Sequence, residues 1–428
     1  MRHAADIRAA RTADDRRKGG LSLYHRPHMR MLKHLRLLVP VGFVVTACSV
    51  DRPTEVTSAP QTTATPAFNA VKFWEAGATV RWSEIATNLV ASRPTDVGRF
   101  YVYLALAQFR AAEAAEAVPG PHPAVSAAIG GASVAVLRSY FPLDVAAIEA
   151  ALDAQQAAPP WPGAKHADFA AGEAIGRVIG ARVLAFAATD RMGLTDPLLP
   201  PTGPVPIGPG KWVYNGGAIA RGGLGARPFY LTSGDQLRPP PPPAFGSAAF
   251  NAALAEVLQI SVTRTAEQTA IANFWNLNQS PRSNAAISAI ANELIVSHRR
   301  SDAEAAKIMF VMTSAWFDAI IGCFDAKYHY WLIRPPQANP GIVTVFATPP
   351  HPSYPSAHSC VSGATTAVLA DAFPSERERL EAIAIEASLS RLYAGIHYRF
   401  DMDAGLAIGR AAAALALRAD LDRVAPLP

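Results

Sequence analysis

Alanine dominates window after window of this 428-residue chain, on both sides of one stretch that cannot be helical. Alanine has the highest intrinsic helix propensity, and apolar residues recur at helical spacing between Phe73 and Ala117, as at Leu104, Ala107, Phe109 and Ala112. A second helical region is expected from about Pro123 to Asp190, broken at Pro142 and at Ala158-Pro159-Pro160. From Leu198 to Gly246 proline and glycine crowd together, with an unbroken run from Pro239 to Pro243, so regular helix is excluded there. That stretch reads either as a long ordered loop wrapped on the body or as a partly extended linker between helical halves. The helical signal returns at Ser247. Ser301-x-x-Glu304 has the capping-box pattern, with Asp302 in the first turn favouring the helix dipole, and predicts a helix to about Asp325. Ser375-x-x-Glu378 marks another start, and the last helix is expected from near Asp401 to Leu417. No segment carries the period of a strand convincingly. The expected fold class is all-α, and with 50% apolar residues the chain can bury one large core or two ordinary ones.

The formal net charge of +5 comes from the beginning of the chain. Of 39 basic and 34 acidic residues, ten and three fall within 1–47, which leaves 29 and 31 for the rest, a balance of −2. No basic stripe remains, so nucleic acid is excluded as a partner. Gly210-Lys211 is followed by Trp212 where a phosphate loop needs Ser or Thr, which excludes that nucleotide motif. Cys48, Cys323 and Cys360 are too few and too scattered for a disulfide framework or a Cys-rich zinc site. Cys48 has its own reading. Lys33, His34 and Arg36 precede an apolar run from Leu37 to Ala47, too short to span a bilayer, and Val45-Thr46-Ala47-Cys48 resembles a bacterial lipoprotein cleavage box.

The expected organisation is then an extension over 1–30, with translation starting at Met29 or Met31, and a lipoprotein signal peptide over 31–48. A flexible tether follows over 49–66, rich in Thr, Ser, Pro and Ala. An N-terminal helical region occupies 67–245 and a C-terminal helical catalytic region 246–428. The expected location is the cell envelope, exported and lipid-anchored through Cys48.

Three short segments carry the chemistry: Lys327-x6-Arg334-Pro335, Pro355-Ser356-Ala357-His358, and Ser390-Arg391-x5-His397-x3-Asp401. Singly they are weak, but their order within 75 residues is specific. Together with Asp325-Ala326-Lys327-Tyr328, His351-Pro352-Ser353-Tyr354-Pro355 and Gly395-Ile396-His397-Tyr398-Arg399-Phe400-Asp401, the triplet resembles the signature of the vanadium-dependent haloperoxidase and type-2 phosphatidic acid phosphatase (PAP2) superfamily, in its bacterial haloperoxidase-like branch. That resemblance implies a large helical bundle, here with an ordered Pro/Gly-rich loop region.

Burying an oxyanion demands fixed cations and donors. Lys327, Arg334 and Arg391 supply three positive charges, and each arginine can bind oxygens through two N–H groups at once. Ser356 adds a hydroxyl, and the Ala357 amide a backbone donor at the start of a helix, which favours the anion. By the resemblance, His397 bonds the central atom, either vanadium or the phosphorus of a phosphoenzyme, while Asp401 fixes its tautomer. His358 is the acid and base by the same resemblance. The family's usual Pro-Ser-Gly-His is Pro-Ser-Ala-His here, a change that costs little if residue 357 has helical φ. Ser390 reads as structural, and Asp318 and Asp325 as placed to orient an arginine.

The resemblance implies vanadate as cofactor, with isosteric phosphate competing, and calls for no haem, flavin or nucleotide. No run of eighteen apolar residues matches the spanning helices of membrane lipid phosphatases. The length before residue 246 favours the haloperoxidase side, with hydrogen peroxide and a halide as substrates. A PAP2-type acid phosphatase, hydrolysing phosphate monoesters through a phosphohistidine at His397, is the alternative. A non-catalytic oxyanion-binding lipoprotein is a second one, against which His358 argues. His351 would line the halide pocket, where family members that brominate tend to carry His and those that chlorinate Phe, so bromide or iodide is expected.

Overall fold

A computed structural model describes residues 77–92, 97–119, 123–158, 167–192, 205–214, 219–276 and 281–427. The chain divides into two units, Met1–Thr63 and Ala64–Pro428, and all described residues belong to the second. The extension, the signal peptide, Cys48 and the tether therefore lie outside the described residues.

The described residues are all-α, in keeping with the alanine-rich pattern. The first five helices are α1 (Ala78–Ser92), α2 (Val97–Glu116), α3 (Val125–Tyr140), α4 (Val145–Ala157) and α5 (Ala167–Ala187). After the Pro/Gly stretch come α6 (Ala248–Thr263), α7 (Ala266–Phe274), α8 (Pro281–Ser297), α9 (Asp302–Tyr330) and the short α10 (Pro335–Ala338). The last three are α11 (Ala357–Ala372), α12 (Arg377–Tyr393) and α13 (Arg399–Ala416). The breaks at Pro142 and after Ala158 fall where expected. Ser301 and Glu304 form both halves of their capping box, the Glu304 amide donating to Ser301 Oγ at 3.3 Å and the Ser301 amide to Glu304 Oε2 at 2.9 Å. The helix continues one turn past Asp325, to Tyr330. Ser375 is not a cap: Pro374–Glu376 form a 3-10 turn, and α12 starts after Glu376.

Helix α9 is the axis of the body. It is long and apolar enough to cross a membrane, but 78% of its most apolar window is buried inside the protein, which makes it a core helix. Phe310 stacks on Phe109 of α2 and meets the Phe229 ring edge-on, and Phe317 meets the same ring, so helices from both sides of the Pro/Gly stretch share one core. Asp318, wholly buried on α9, accepts the amides of Phe229, Tyr230 and Leu231 at 2.8, 2.7 and 3.0 Å. It holds a loop, not the arginine expected of it. Asp325 does bind an arginine, Arg238, at 2.8 and 3.1 Å.

The described part of the Pro/Gly stretch is a loop tied to the body. Tyr330 Oη donates to the Pro239 carbonyl at 2.5 Å and Tyr354 Oη to that of Pro240 at 2.7 Å. Helix α13 approaches α11 along Gly405 and Gly409. A Cβ at Gly409 would collide with the Cys360 carbonyl and come within 2.6 Å of the Ala364 nitrogen. This close approach lets the Ser356 amide donate to the Asp401 carbonyl at 2.9 Å, which joins two of the three motif segments.

Candidate active site

Each motif segment lies at a helix end, where the backbone leaves donors and acceptors uncommitted. Lys327 sits in the last turn of α9, which closes at Trp331 in a left-handed conformation with φ 55°. Reciprocal bonds with Trp212 hold that turn: the Trp212 amide donates to the Trp331 carbonyl at 2.9 Å, and Trp331 Nε1 donates to the Trp212 carbonyl at 3.1 Å. Arg334 follows as the residue before α10. Ser356 caps α11, so Ala357 is its first residue and adopts no positive φ. The alanine in place of the family's glycine therefore sits in ordinary helix. Gly395, at φ 77°, ends α12 in the left-handed form that glycine adopts without strain and leads the chain into His397.

His397 is the best-defined group. Its Nδ1 lies 2.7 Å from Asp401 Oδ2, and its Nε2 lies 2.9 Å from Arg334 Nη1. A guanidinium can only donate, so Nε2 is the acceptor and Nδ1 carries the proton toward Asp401. Burial, reinforced by the charges of Arg334 and Lys327, pushes His397 well below the usual histidine range and keeps it neutral. The structure thus presents a lone pair at Nε2 on a ring with a fixed tautomer. Asp401 Oδ2 also accepts from Ser353 Oγ at 2.6 Å and from the Tyr398 amide at 3.2 Å. Its Oδ1 is buried without a hydrogen-bond partner among the described residues. Burial raises Asp401 to about 6 against the pull of these donors and of Lys327.

Arg334 is fully buried. Beyond His397 it donates to the Ile396 carbonyl at 2.8 Å, to the His351 carbonyl at 3.1 Å and to His351 Nδ1 at 2.9 Å. His351 therefore positions this arginine, besides meeting the Phe324 ring edge-on at 5.2 Å. Arg391 donates to Ser390 Oγ at 2.9 Å and to the Ala272 carbonyl at 3.1 Å, and lies over the Phe346 ring. Ser390 is structural in this specific sense. Burial lowers Arg334 to about 10 and Arg391 to about 9, both still charged at neutral pH.

Lys327 is placed differently from the cage cation expected. Its Nζ donates to the carbonyls of Pro352 at 3.0 Å, Ser353 at 2.8 Å and Pro355, so its three donors clamp the loop before Ser356. Burial brings it down to about 8. Its charge still reaches the site, since it lowers His351, His358 and His397 alike. His358, half-buried, has Nε2 at 2.8 Å from the Trp275 carbonyl; that nitrogen must donate, which leaves Nδ1 as the basic atom. Burial and then Arg391 push it well below the usual range.

The structure brings Arg334, His351, Ser353, His397 and Asp401 into one hydrogen-bonded network. Lys327, Ser356, Ala357, His358 and Arg391 border it. Sequence reasoning missed the role of Ser353 and the carbonyl partners at Trp275, Ala272 and Ile396. Ser353 stands inside a quoted motif word, and its polarity between buried prolines was the available signal. The donor set fits an oxyanion: two buried guanidiniums, a third buried cation, a neutral imidazole lone pair, and first-turn amides of Ala357 and His358 with no acceptor inside their helix. Among the described residues no group of three or more His, Cys, Asp or Glu could hold a metal ion directly.

Residues 305–425 match the PAP2 superfamily, in agreement with the superfamily resemblance of the motifs, and the helical body has the fold of vanadium-dependent haloperoxidases, so the all-α fold class is borne out. The similar solved structures include one described as the first bacterial vanadium-dependent iodoperoxidase, at 24% identity and a TM-score of 0.63, covering 79% of this chain and 94% of that one. An apo-type bacterial vanadium-dependent chloroperoxidase has 15% identity and a TM-score of 0.59, covering 75% and 92%. A holo-type structure described in the same way has 15% identity and 0.56, covering 78% and 91%. No curated protein matches the sequence.

Proposed function

We propose that this chain is a vanadium-dependent haloperoxidase that oxidises iodide or bromide with hydrogen peroxide. The observation that carries the reading is His397, neutral and buried, with Nδ1–H fixed on Asp401 and the Nε2 lone pair directed at a guanidinium. Bound vanadate would supply a Lewis-acidic centre that activates peroxide toward a halide.

The residues of the chain do the rest. His397 would hold the central atom through Nε2, with Arg334 transferring its hydrogen bond from that nitrogen to an oxygen of the anion. Arg391 would offset further negative charge, and the helix α11 amides would donate hydrogen bonds to it. Lys327 keeps the loop before Ser356 in place and adds charge. His358, anchored through Nε2–H on Trp275, takes and returns a proton at Nδ1.

A PAP2-type phosphatase would use the same residues. The haloperoxidase reading is favoured because α1–α5 form one core with α9 and the likeness to haloperoxidase structures extends over 75–79% of the chain. Iodide or bromide is favoured by His351 and by the similarity to the iodoperoxidase structure. We further propose export with a lipid anchor at Cys48.

The test is to supply the chain with vanadate and compare peroxide-dependent oxidation of iodide, bromide and chloride with hydrolysis of a phosphate monoester. Halide oxidation that needs vanadate, with little chlorination, is expected. Hydrolysis of the ester by the vanadate-free chain, with no halide oxidation after loading, would assign the site to phosphatase chemistry instead.

A further inference from the structure

Two groups that border the His397 network, Arg391 on α12 and His358 on α11, are held by one short helix. Arg391 Nη2 donates to the Ala272 carbonyl at 3.1 Å and His358 Nε2 to the Trp275 carbonyl at 2.8 Å, both at the end of α7. The neighbouring carbonyls are already taken, since those of Ile271 and Asn273 accept the amides of Trp275 and Asn276 at 3.1 and 3.2 Å. The last carbonyls of a helix lack partners within it and form its negative end, which suits a guanidinium and a ring N–H.

Helix α7 has nine residues, too few to be stable alone in water, so its ties to the body decide where those carbonyls lie. Its start is closed by a capping box of Thr265 and Gln268, and Arg264 Nε, just before it, donates to the Tyr393 carbonyl at 2.6 Å. At its other end Trp275 Nε1 donates to Glu386 Oε1 at 3.0 Å. Tyr393, Arg391 and Glu386 all lie on α12, so three bonds clip α7 along that helix, and the last of them falls on the residue whose carbonyl receives His358. We infer that Trp275 and Glu386 are positioning residues: the bond between them fixes the carbonyl that orients His358, at the same helix end that braces Arg391.

The surroundings of His358 show why a fixed acceptor is needed. Burial and the charges of Arg391, Lys327 and Arg334 disfavour a second proton on the ring, and the Trp275 carbonyl works against them. The same carbonyl commits Nε2 to carrying the hydrogen and leaves Nδ1 free to take and return a proton. Without it the Nε2–H and Nδ1–H forms of the neutral ring come closer in energy, and Nδ1 is no longer reserved for the proton that moves. The acid–base role of His358 rests on the function proposed above; the brace that α7 provides does not.

The test reads the His358 tautomer by nitrogen NMR of the full chain at neutral pH without vanadate, its signal assigned by its loss in His358→Gln. The native ring should carry its proton at Nε2 alone. Trp275→Phe and Glu386→Ala should each give a mixture of tautomers, and Glu386→Gln, which keeps an acceptor for the indole N–H, should restore the single form. The double variant Trp275→Phe/Glu386→Ala should be no worse than either single change, because both remove the same bond. With vanadate added, the two disrupting variants should turn over roughly tenfold more slowly, the lower end of what losing an outer partner costs, and Glu386→Gln should match the native chain. A single Nε2–H tautomer in both Trp275→Phe and Glu386→Ala would overturn the inference, as would a Glu386→Gln ring as mixed as that of Glu386→Ala. The expected tautomers in a chain that oxidises no halide would support the brace and count against the function instead.

Discussion

Asp401 receives three hydrogen bonds on a single oxygen, and one of the donors, Ser353 Oγ at 2.6 Å, comes from a loop 48 positions earlier in the chain. Ser353→Ala would remove the shortest of the three and loosen the tautomer lock on His397. Loss of such an outer partner costs roughly 10–100-fold in affinity at comparable sites, so vanadate titration of the variant should show a drop of that order, and native affinity would contradict the role given to Ser353. His351 is argued from the same network. It accepts from Arg334 Nη2 at 2.9 Å, so His351→Phe strands a buried guanidinium N–H and should cost about 1–3 kcal/mol in urea unfolding, quite apart from any change in halide preference. An unchanged unfolding midpoint would show that the bond contributes nothing. His397 and Asp401 were legible through the motif segments that carry the superfamily resemblance, and the structure joins them across a helix start, with Asp401 in the first turn of α13 and His397 two residues before it. The loop bonds of Ser353 and Lys327 were not legible. A serine or lysine facing backbone carbonyls leaves no periodic trace.

The helices themselves were largely legible, since alanine propensity, proline breaks and the Ser301 capping box all act locally. What the sequence concealed was how the long loop is held. Asp318 on α9 collects three amides of the 229–231 segment while fully buried, and burial raises its carboxyl to about 6 in spite of them. An unfolded aspartate titrates near 3.9. Between those values the folded protein binds more protons than the unfolded chain, so stability from this group is gained as pH falls from about 6 toward 4 and lost as pH rises through 6. Asp318→Asn lacks that titration and replaces one acceptor with a donor. It should be less stable by about 1–3 kcal/mol, with a deficit that widens when unfolding is followed at acidic rather than neutral pH. A deficit that shrinks on acidification would contradict the assignment. Register at the other end of the chain was less well read, because Ser375 looks like a cap but Pro374 draws it into a 3-10 turn.

At the scale of the whole molecule, the superfamily match at 305–425 covers the three motif segments, yet α9 cannot bury its aromatic face without α2 and the 229–231 loop. The region that carries the motifs and the helices before it therefore share one core, which the sequence left open as one large core or two. The proposed location at a membrane rests on Cys48. A Cys48→Ser variant should move from membrane to soluble fractions on cell fractionation, and an unmodified Cys48 in a soluble native protein would end that reading. The central claim is that one oxyanion is bound through His397 within a cage of buried cations. It is tested most directly by titrating the native chain and His397→Ala with orthovanadate, with inorganic phosphate as competitor. One vanadate per native chain, displaced by phosphate, is expected, with a loss in His397→Ala greater than the roughly 10–100-fold that an outer partner would cost. Binding by His397→Ala as tight as by the native chain would contradict it.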